Sequence, residues 1–420
     1  MVARPIPTAS VQRALARNLS LDLAAAVGLG VTMAMVSVLL PTVARRGGLE
    51  PIGLSALAAA PFVANLLGIF AGRVGPRSPG QLAAMRGVGA LSLLLLFLIP
   101  VPPVMIAVAA VFWLSVAFGG PFHLRLWGAM YPSRIRGRVV GVLGMGRAAA
   151  GALAAIAGGL IADRIGGPSA VAIAGVVGLV CAVAYAGLRS PAAAHPPRFS
   201  ARDSLKALRD RPVLGRIAVA QGFYGGGLIA AAPLYALVHV DRLDLTLSQV
   251  GVIGILTAVA TTVAFLAWGA VADRFGAIAS LRLGSTVGLT TLVAYALAPD
   301  VAVLWIAAVA AGISSAAIDV GLTAIISDQT SLATRSAAMA GWYALTGARG
   351  IAAAFAMSAL LQAGIVDVPT GLLLCAAVSA IGVVLFQRIR PGVPVDTGLW
   401  EVVPAPAASS TPPRPALGAS

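Results

Sequence analysis

A run of about twenty apolar residues can cross a bilayer as a helix, and this chain carries twelve of them. They lie near residues 19–40, 51–71, 82–100, 103–131, 139–161, 168–188, 214–238, 249–271, 280–298, 301–326, 337–361 and 368–387. Lipid offers no partner to an unpaired backbone group, so each run is predicted to be a helix and the chain an all-α integral membrane protein. The composition agrees: 59% of the residues are apolar and 10% charged, against about a quarter charged in soluble domains. The first run is longer than the core of a signal peptide and lacks a small-x-small cleavage site, so it reads as a retained span.

The net charge of +15 invites a nucleic-acid reading, but Lys206 is the single lysine and no basic block is interleaved with aromatics. Position explains the charge instead. With the N-terminus inside, 22 of the 29 Lys and Arg residues fall on the cytoplasmic side, and only Arg45, Arg46, Arg164 and Arg242 fall outside. This bias places both termini in the cytoplasm and supports the even span count, because one missed span would scramble it. Cys181 and Cys375 lie inside apolar runs and His123, His195 and His239 are far apart, so neither a disulfide nor a metal site is predicted. There is no nucleotide-binding motif and no paired nucleophile and base. The chain therefore reads as neither a hydrolysis-driven pump nor an enzyme, and it calls for no cofactor.

One octapeptide pattern recurs, as GIFAGRVG at 68–75, GLIADRIG at 159–166 and GAVADRFG at 269–276. The first and third end spans at the cytoplasmic face. The second faces outward and is expected to be a look-alike with a generic helix-end role. The polar, basic segment 189–213 divides the chain into halves at 1–188 and 214–390, and the Pro-, Ala- and Ser-rich tail 391–420 is expected to be disordered. Adding 201 to the numbers of the second span aligns Gly68 with Gly269, Arg73 with Arg274 and Gly75 with Gly276, while Gly72 falls opposite Asp273. The halves thus read as parallel repeats about an axis along the membrane normal.

Two six-span halves, a basic central loop and G-x-x-x-D-R-x-G between spans eight and nine resemble the major facilitator superfamily over about residues 15–390. The loop YPSRIRGRVVG after the fourth span is similar to that family's Arg-Gly-Arg loop. The resemblance implies a functional monomer that carries out secondary transport by alternating access. It also implies a conformational role for Gly269, Asp273, Arg274, Gly276 and Arg73, in which Asp273 meets the start of the fifth helix and helps hold the outward-open state. Gly72 departs from the pattern, which weakens any equivalent lock in the first half. Ala154–Ala155 stand where family antiporters carry Gly-Pro, and the early fourth-span arginine of drug exporters is absent.

Five ionisable side chains lie within spans: Asp22, Arg125, Arg147, Asp319 and Arg349. Each costs at least about 2.5 kcal/mol if unpaired at the bilayer centre, so each is expected to meet a partner or a wet cavity. Asp319 lies roughly 10 Å and Arg349 roughly 18 Å from the cytoplasmic ends of their helices, which makes a pair feasible. Asp22 and Arg125 are both shallow and are expected to pair, leaving Arg147 over. Ser315, Asp319, Thr323 and Ser327 form a polar stripe at four-residue steps. Gln221, Tyr224, Ala231 and Tyr235 share a face of the seventh span beside Gly225–Gly226–Gly227, which would allow bending. Trp342 lies on one side of the eleventh span with Arg349. His123 shares its face with Trp127 and reads as a satisfied core residue. The segment FSARDSLKALRD reads as a short helix on the inner surface.

These residues predict a proton-coupled secondary transporter exporting small amphiphilic organic compounds, with Asp319 and then Asp22 as the coupling carboxylates. Its partners are a small-molecule substrate, protons and the lipid bilayer. Two alternatives are carried: a proton-coupled carrier of a small organic anion, meeting Arg147 or Arg349, and a non-transporting sensor or scaffold of the same fold. Heavy use of Ala and Arg with a single Lys points to a GC-rich bacterial genome and hence the cytoplasmic membrane.

Overall fold

The computed structural model describes residues 9–71, 75–190 and 201–390. The expected disorder of 391–420 and the positions of Gly72 and Arg73 lie outside the described residues. The described chain is helical throughout, with no strand. Its spans are α1 (Arg13–Arg46), α2 (Pro51–Leu67), α3 (Pro79–Leu98), α4 (Pro102–Met130), α5 (Ser133–Ile165) and α6 (Gly167–Ala186), then α7 (Pro212–Arg242), α8 (Leu247–Phe275), α9 (Ala277–Leu297), α10 (Val301–Gln329), α11 (Leu332–Gln362) and α12 (Val368–Arg388). Eleven are long and apolar enough to cross a membrane; α2 is shorter and continues into a 3-10 turn at Gly68–Phe70, filling the place of the predicted second span.

Helix ends follow local chemistry. Proline, whose missing N–H costs nothing in a first turn, opens α2, α3, α4 and α7. Ser78, Thr246, Asp300, Ser331 and Asp367 cap the starts of α3, α8, α10, α11 and α12 through their side-chain oxygens. The last glycine of two octapeptide copies explains itself here. Gly166 (φ 93°) and Gly276 (φ 83°) each join two antiparallel helices in a backbone region that favours glycine. Gly75 of the first copy has no positive φ, so the three copies do not share one geometry.

The first and seventh helices each contain a π turn at corresponding positions, Met35–Leu39 and Val238–Arg242. In α1 the following Pro41 has no N–H to continue the ladder, and the Leu40 N–H reaches back to the Met35 carbonyl. Beyond these turns the two halves meet. Thr42 Oγ1 lies 3.1 Å from His239 Nδ1, and Arg45 and Asp241 form an ion pair at 2.8 Å. Arg46 donates to the Leu245 carbonyl, and Gln362 donates to Glu50 at 3.1 Å. Slightly deeper, Ser55 donates to the Ala354 carbonyl at 2.7 Å. Small residues permit this closeness: a Cβ on Gly251 would collide with the Ala155 carbonyl, and one on Gly350 with the Phe62 ring. The polar contacts lie at the end of the bundle away from the chain termini, while α2 and α11 stay packed toward the terminal end, where a Cβ on Gly347 would meet the Leu66 backbone. Within each half, Arg17 on the Gly187 carbonyl (3.0 Å) and Arg282 on the Ile389 carbonyl (2.6 Å) hold the terminal end.

The linker helix (Ala201–Arg209) corrects one expectation. It does not lie free on a membrane surface. Ser204 and Leu208 are buried, Leu208 against Leu214, Ile217 and Trp342, and a Cβ on Gly341 would meet the Ser204 backbone. Apolar burial thus clamps it onto α7 and α11. The glycine triplet 225–227 does not interrupt α7, which runs helical from Pro212 to Leu237. Gly225 leaves room for the Gln221 amide and the Arg349 guanidinium, and Gly227 for Ser379.

Candidate functional site

Four-residue steps along α4 put His123, Trp127 and Tyr131 on one face, and α1 brings Asp22 against it. Asp22 is fully buried, and its carboxylate is held by His123 Nε2 (2.7 Å), Trp127 Nε1 (2.7 Å) and Tyr131 Oη (3.2 Å). The predicted Asp22–Arg125 pair does not form. Arg125 lies 200° around the helix from His123 and stacks over the Phe122 ring at 5.4 Å. The sequence placed His123 and Trp127 on a shared face but missed that Asp22 is their acceptor and Tyr131 their companion. The 123/127/131 spacing was the available signal.

In the second half the predicted Asp319–Arg349 pair is also absent. Arg349 Nη1 instead donates to the Gln221 carbonyl at 2.7 Å. Asp319 is exposed and makes no hydrogen bond or ion pair with a described residue, though its charge reaches the Tyr343 hydroxyl. Ser315 and Thr323 are exposed beside it. About 140° of helical rotation separates Asp319 from Ile306, the most exposed large apolar residue of α10, so the stripe and the apolar face point different ways. In α5 the exposed Arg147 likewise stands about 200° from exposed Met145. These two groups therefore point away from the exposed apolar faces of their helices.

Three of the candidate binding residues are buried. Tyr224 is buried with its hydroxyl 2.7 Å from Ser314 Oγ, and Trp342 is buried beneath the linker helix. Gln221 is buried, its carbonyl taken by Arg349. The shared helical face was real, but α7 turns it into its own half.

The outward octapeptide copy, GLIADRIG, is not a generic helix end. Asp163 reaches from α5 into the other half and accepts the first two backbone N–H groups of α8, Leu247 N at 2.8 Å and Ser248 N at 2.9 Å. A carboxylate at a helix N-terminus satisfies otherwise orphaned donors and meets the positive end of the dipole. Gly159 of the same copy lies so close to the Leu247 carbonyl that no Cβ would fit.

The sequence profile of the Major Facilitator Superfamily matches residues 23–301 and 217–417. The chain belongs to that superfamily. Among curated protein sequences no match was found. Solved structures of superfamily-type transporters share the fold at low sequence identity. A point mutant of the nucleoside transporter NupG is 14% identical, with a TM-score of 0.73 over 89% of this chain and 100% of that one. The POT family transporter PepTSo is 12% identical, with a TM-score of 0.69 over 88% of this chain and 97% of that one. A bacterial homologue of the human lysosomal transporter Spinster, inward-facing and occupied, is 13% identical, with a TM-score of 0.67 over 88% and 95%.

Within this Major Facilitator Superfamily chain the motif between α8 and α9 is disengaged. Asp273 is exposed and makes no hydrogen bond or ion pair with a described residue. Arg274 lies over the Phe275 ring at 5.3 Å, and Gly269 has open space about it. One carboxylate copy is engaged at the closed end while its counterpart stands free at the other.

Proposed function

We propose that this superfamily member is a proton-coupled transporter that works by alternating access and exports small amphiphilic organic compounds, with Asp319 as the coupling carboxylate. Both termini are cytoplasmic in this reading, which makes the structure an inward-open state. The observation that carries the proposal is Asp319, without a partner among the described residues, on the exposed Ser315–Thr323 stripe of a bundle whose opposite end is closed by Asp163, Arg45–Asp241 and Thr42–His239. A carboxylate without a counter-charge at membrane depth is stabilised by binding a proton when the halves close and water leaves. The arginine-rich face on the open side and the inward-facing state of the Spinster homologue support the orientation.

Export fits the mostly apolar lining and its short polar set. A second reading, carriage of an organic anion, is favoured by the exposed Arg147, whereas Arg349 is already occupied by the Gln221 carbonyl. Reconstituted vesicles with an imposed pH gradient test the proposal. Wild-type protein is expected to accumulate an amphiphilic dye against its gradient, while Asp319→Asn retains only downhill exchange with a flat pH profile. Gradient-driven accumulation by Asp319→Asn with unchanged pH dependence would sink the assignment.

A further inference from the structure

Arg86 is counted by charge bias among the cytoplasmic arginines, but the structure buries it inside the first six helices. Only 8% of the residue is exposed, and its guanidinium Nε and Nη1 have no hydrogen-bond partner. An arginine stays charged under all physiological conditions, so this cation cannot escape burial by losing its proton. It forms no ion pair with a described residue, and Asp22 is already held by His123, Trp127 and Tyr131.

The surroundings keep a place open rather than fill it. Arg86 lines a small cavity, partly open to solvent, among α1, α3, α4 and α6 with Thr32, Ser115 and Tyr185 at its wall. The buried Tyr185 hydroxyl stands beside the guanidinium, within reach of a weak hydrogen bond to it. Gly119 is needed here: a Cβ would stand 3.1 Å from Arg86 Nε and 3.2 Å from its Cζ. A buried cation with unpaired N–H donors, a phenol beside it and space for about one water describe a receptor for negative charge.

We infer that the cavity at Arg86 and Tyr185 is a binding site for a compact anion, such as a halide or the carboxylate of a small acid. The guanidinium supplies charge-assisted N–H donors and the phenol one O–H donor. The site lies inside one half, so it does not rest on the proton coupling or direction proposed above.

The test uses the purified full-length protein in detergent, prepared in sodium gluconate. Its unfolding temperature is followed as chloride replaces gluconate at constant ionic strength. Saturable stabilisation by chloride is expected, absent in Arg86→Gln and shifted at least several-fold to higher chloride in Tyr185→Phe, which removes only the hydroxyl. Bromide soaked into crystals should give an anomalous peak at the guanidinium. Acetate that competes with chloride would assign the site to small carboxylates as well; acetate without effect would restrict it to halides. Equal behaviour in chloride and gluconate for the wild type would overturn the inference, leaving Arg86 solvated by water alone. So would chloride stabilisation that Tyr185→Phe and Arg86→Gln both retain unchanged.

Discussion

Asp163→Ala is expected to open the closed end of the transporter and shift its resting population toward the opposite state. In the structure this carboxylate accepts two backbone N–H groups at the start of α8, at 2.8 and 2.9 Å, from the other half of the molecule. Loss of a charged cap of this kind costs about 1–2 kcal/mol, a factor of roughly 5–30 in a two-state ratio. The cost falls only on the state in which the halves meet here, because Asp163 and α8 part when they separate. Spin labels at exposed Leu98 and Ile365, one on each half, would report the population by their distance distribution. A longer distance should gain weight in Asp163→Ala. Removing the partly exposed Arg45–Asp241 pair should move it less, since such pairs contribute about 1 kcal/mol at most. An unchanged distribution in Asp163→Ala would reduce the residue to an ordinary cap. Asp273, free in this state, is expected to act in the opposite sense: its removal should favour the state seen here.

The second large effect is one of stability. Asp22→Leu leaves His123 Nε2, Trp127 Nε1 and Tyr131 Oη in an apolar interior with no common acceptor. Each orphaned buried donor costs about 1–3 kcal/mol. Interhelical hydrogen bonds in membranes average nearer 0.6 kcal/mol, because the unfolded chain also finds partners. The three together therefore cost about 2–4 kcal/mol, and the unfolding temperature in detergent should fall by roughly 2–5 °C. Asp22→Asn keeps one acceptor oxygen and should lose about half as much. A variant that unfolds at the wild-type temperature would show that the cage is not holding α1 to α4.

These two sites also show where sequence reading stops. His123 and Trp127 could be placed on one face of α4 from their spacing alone, because a helix has a fixed 3.6-residue period. Their acceptor could not, because it comes from α1, 101 residues earlier. Arg125 and Arg349 are sufficiently deep to pair with Asp22 and Asp319, but depth is one coordinate of three. The rotation of α4 turns Arg125 onto Phe122, and that of α11 turns Arg349 onto a backbone carbonyl of α7.

What the sequence determined by itself is whatever the bilayer enforces residue by residue. Twelve apolar runs and their helical state follow from desolvation and a local period, neither of which needs a partner to be known, and the family was legible in short motifs at the span ends. Only the tertiary structure decided that the outward octapeptide latches two halves, that Arg86 is interior and that Tyr224 and Trp342 are core. A side chain's partner depends on which helix lies beside it and at what rotation. Packing across the whole bundle sets both, and no window of sequence contains them.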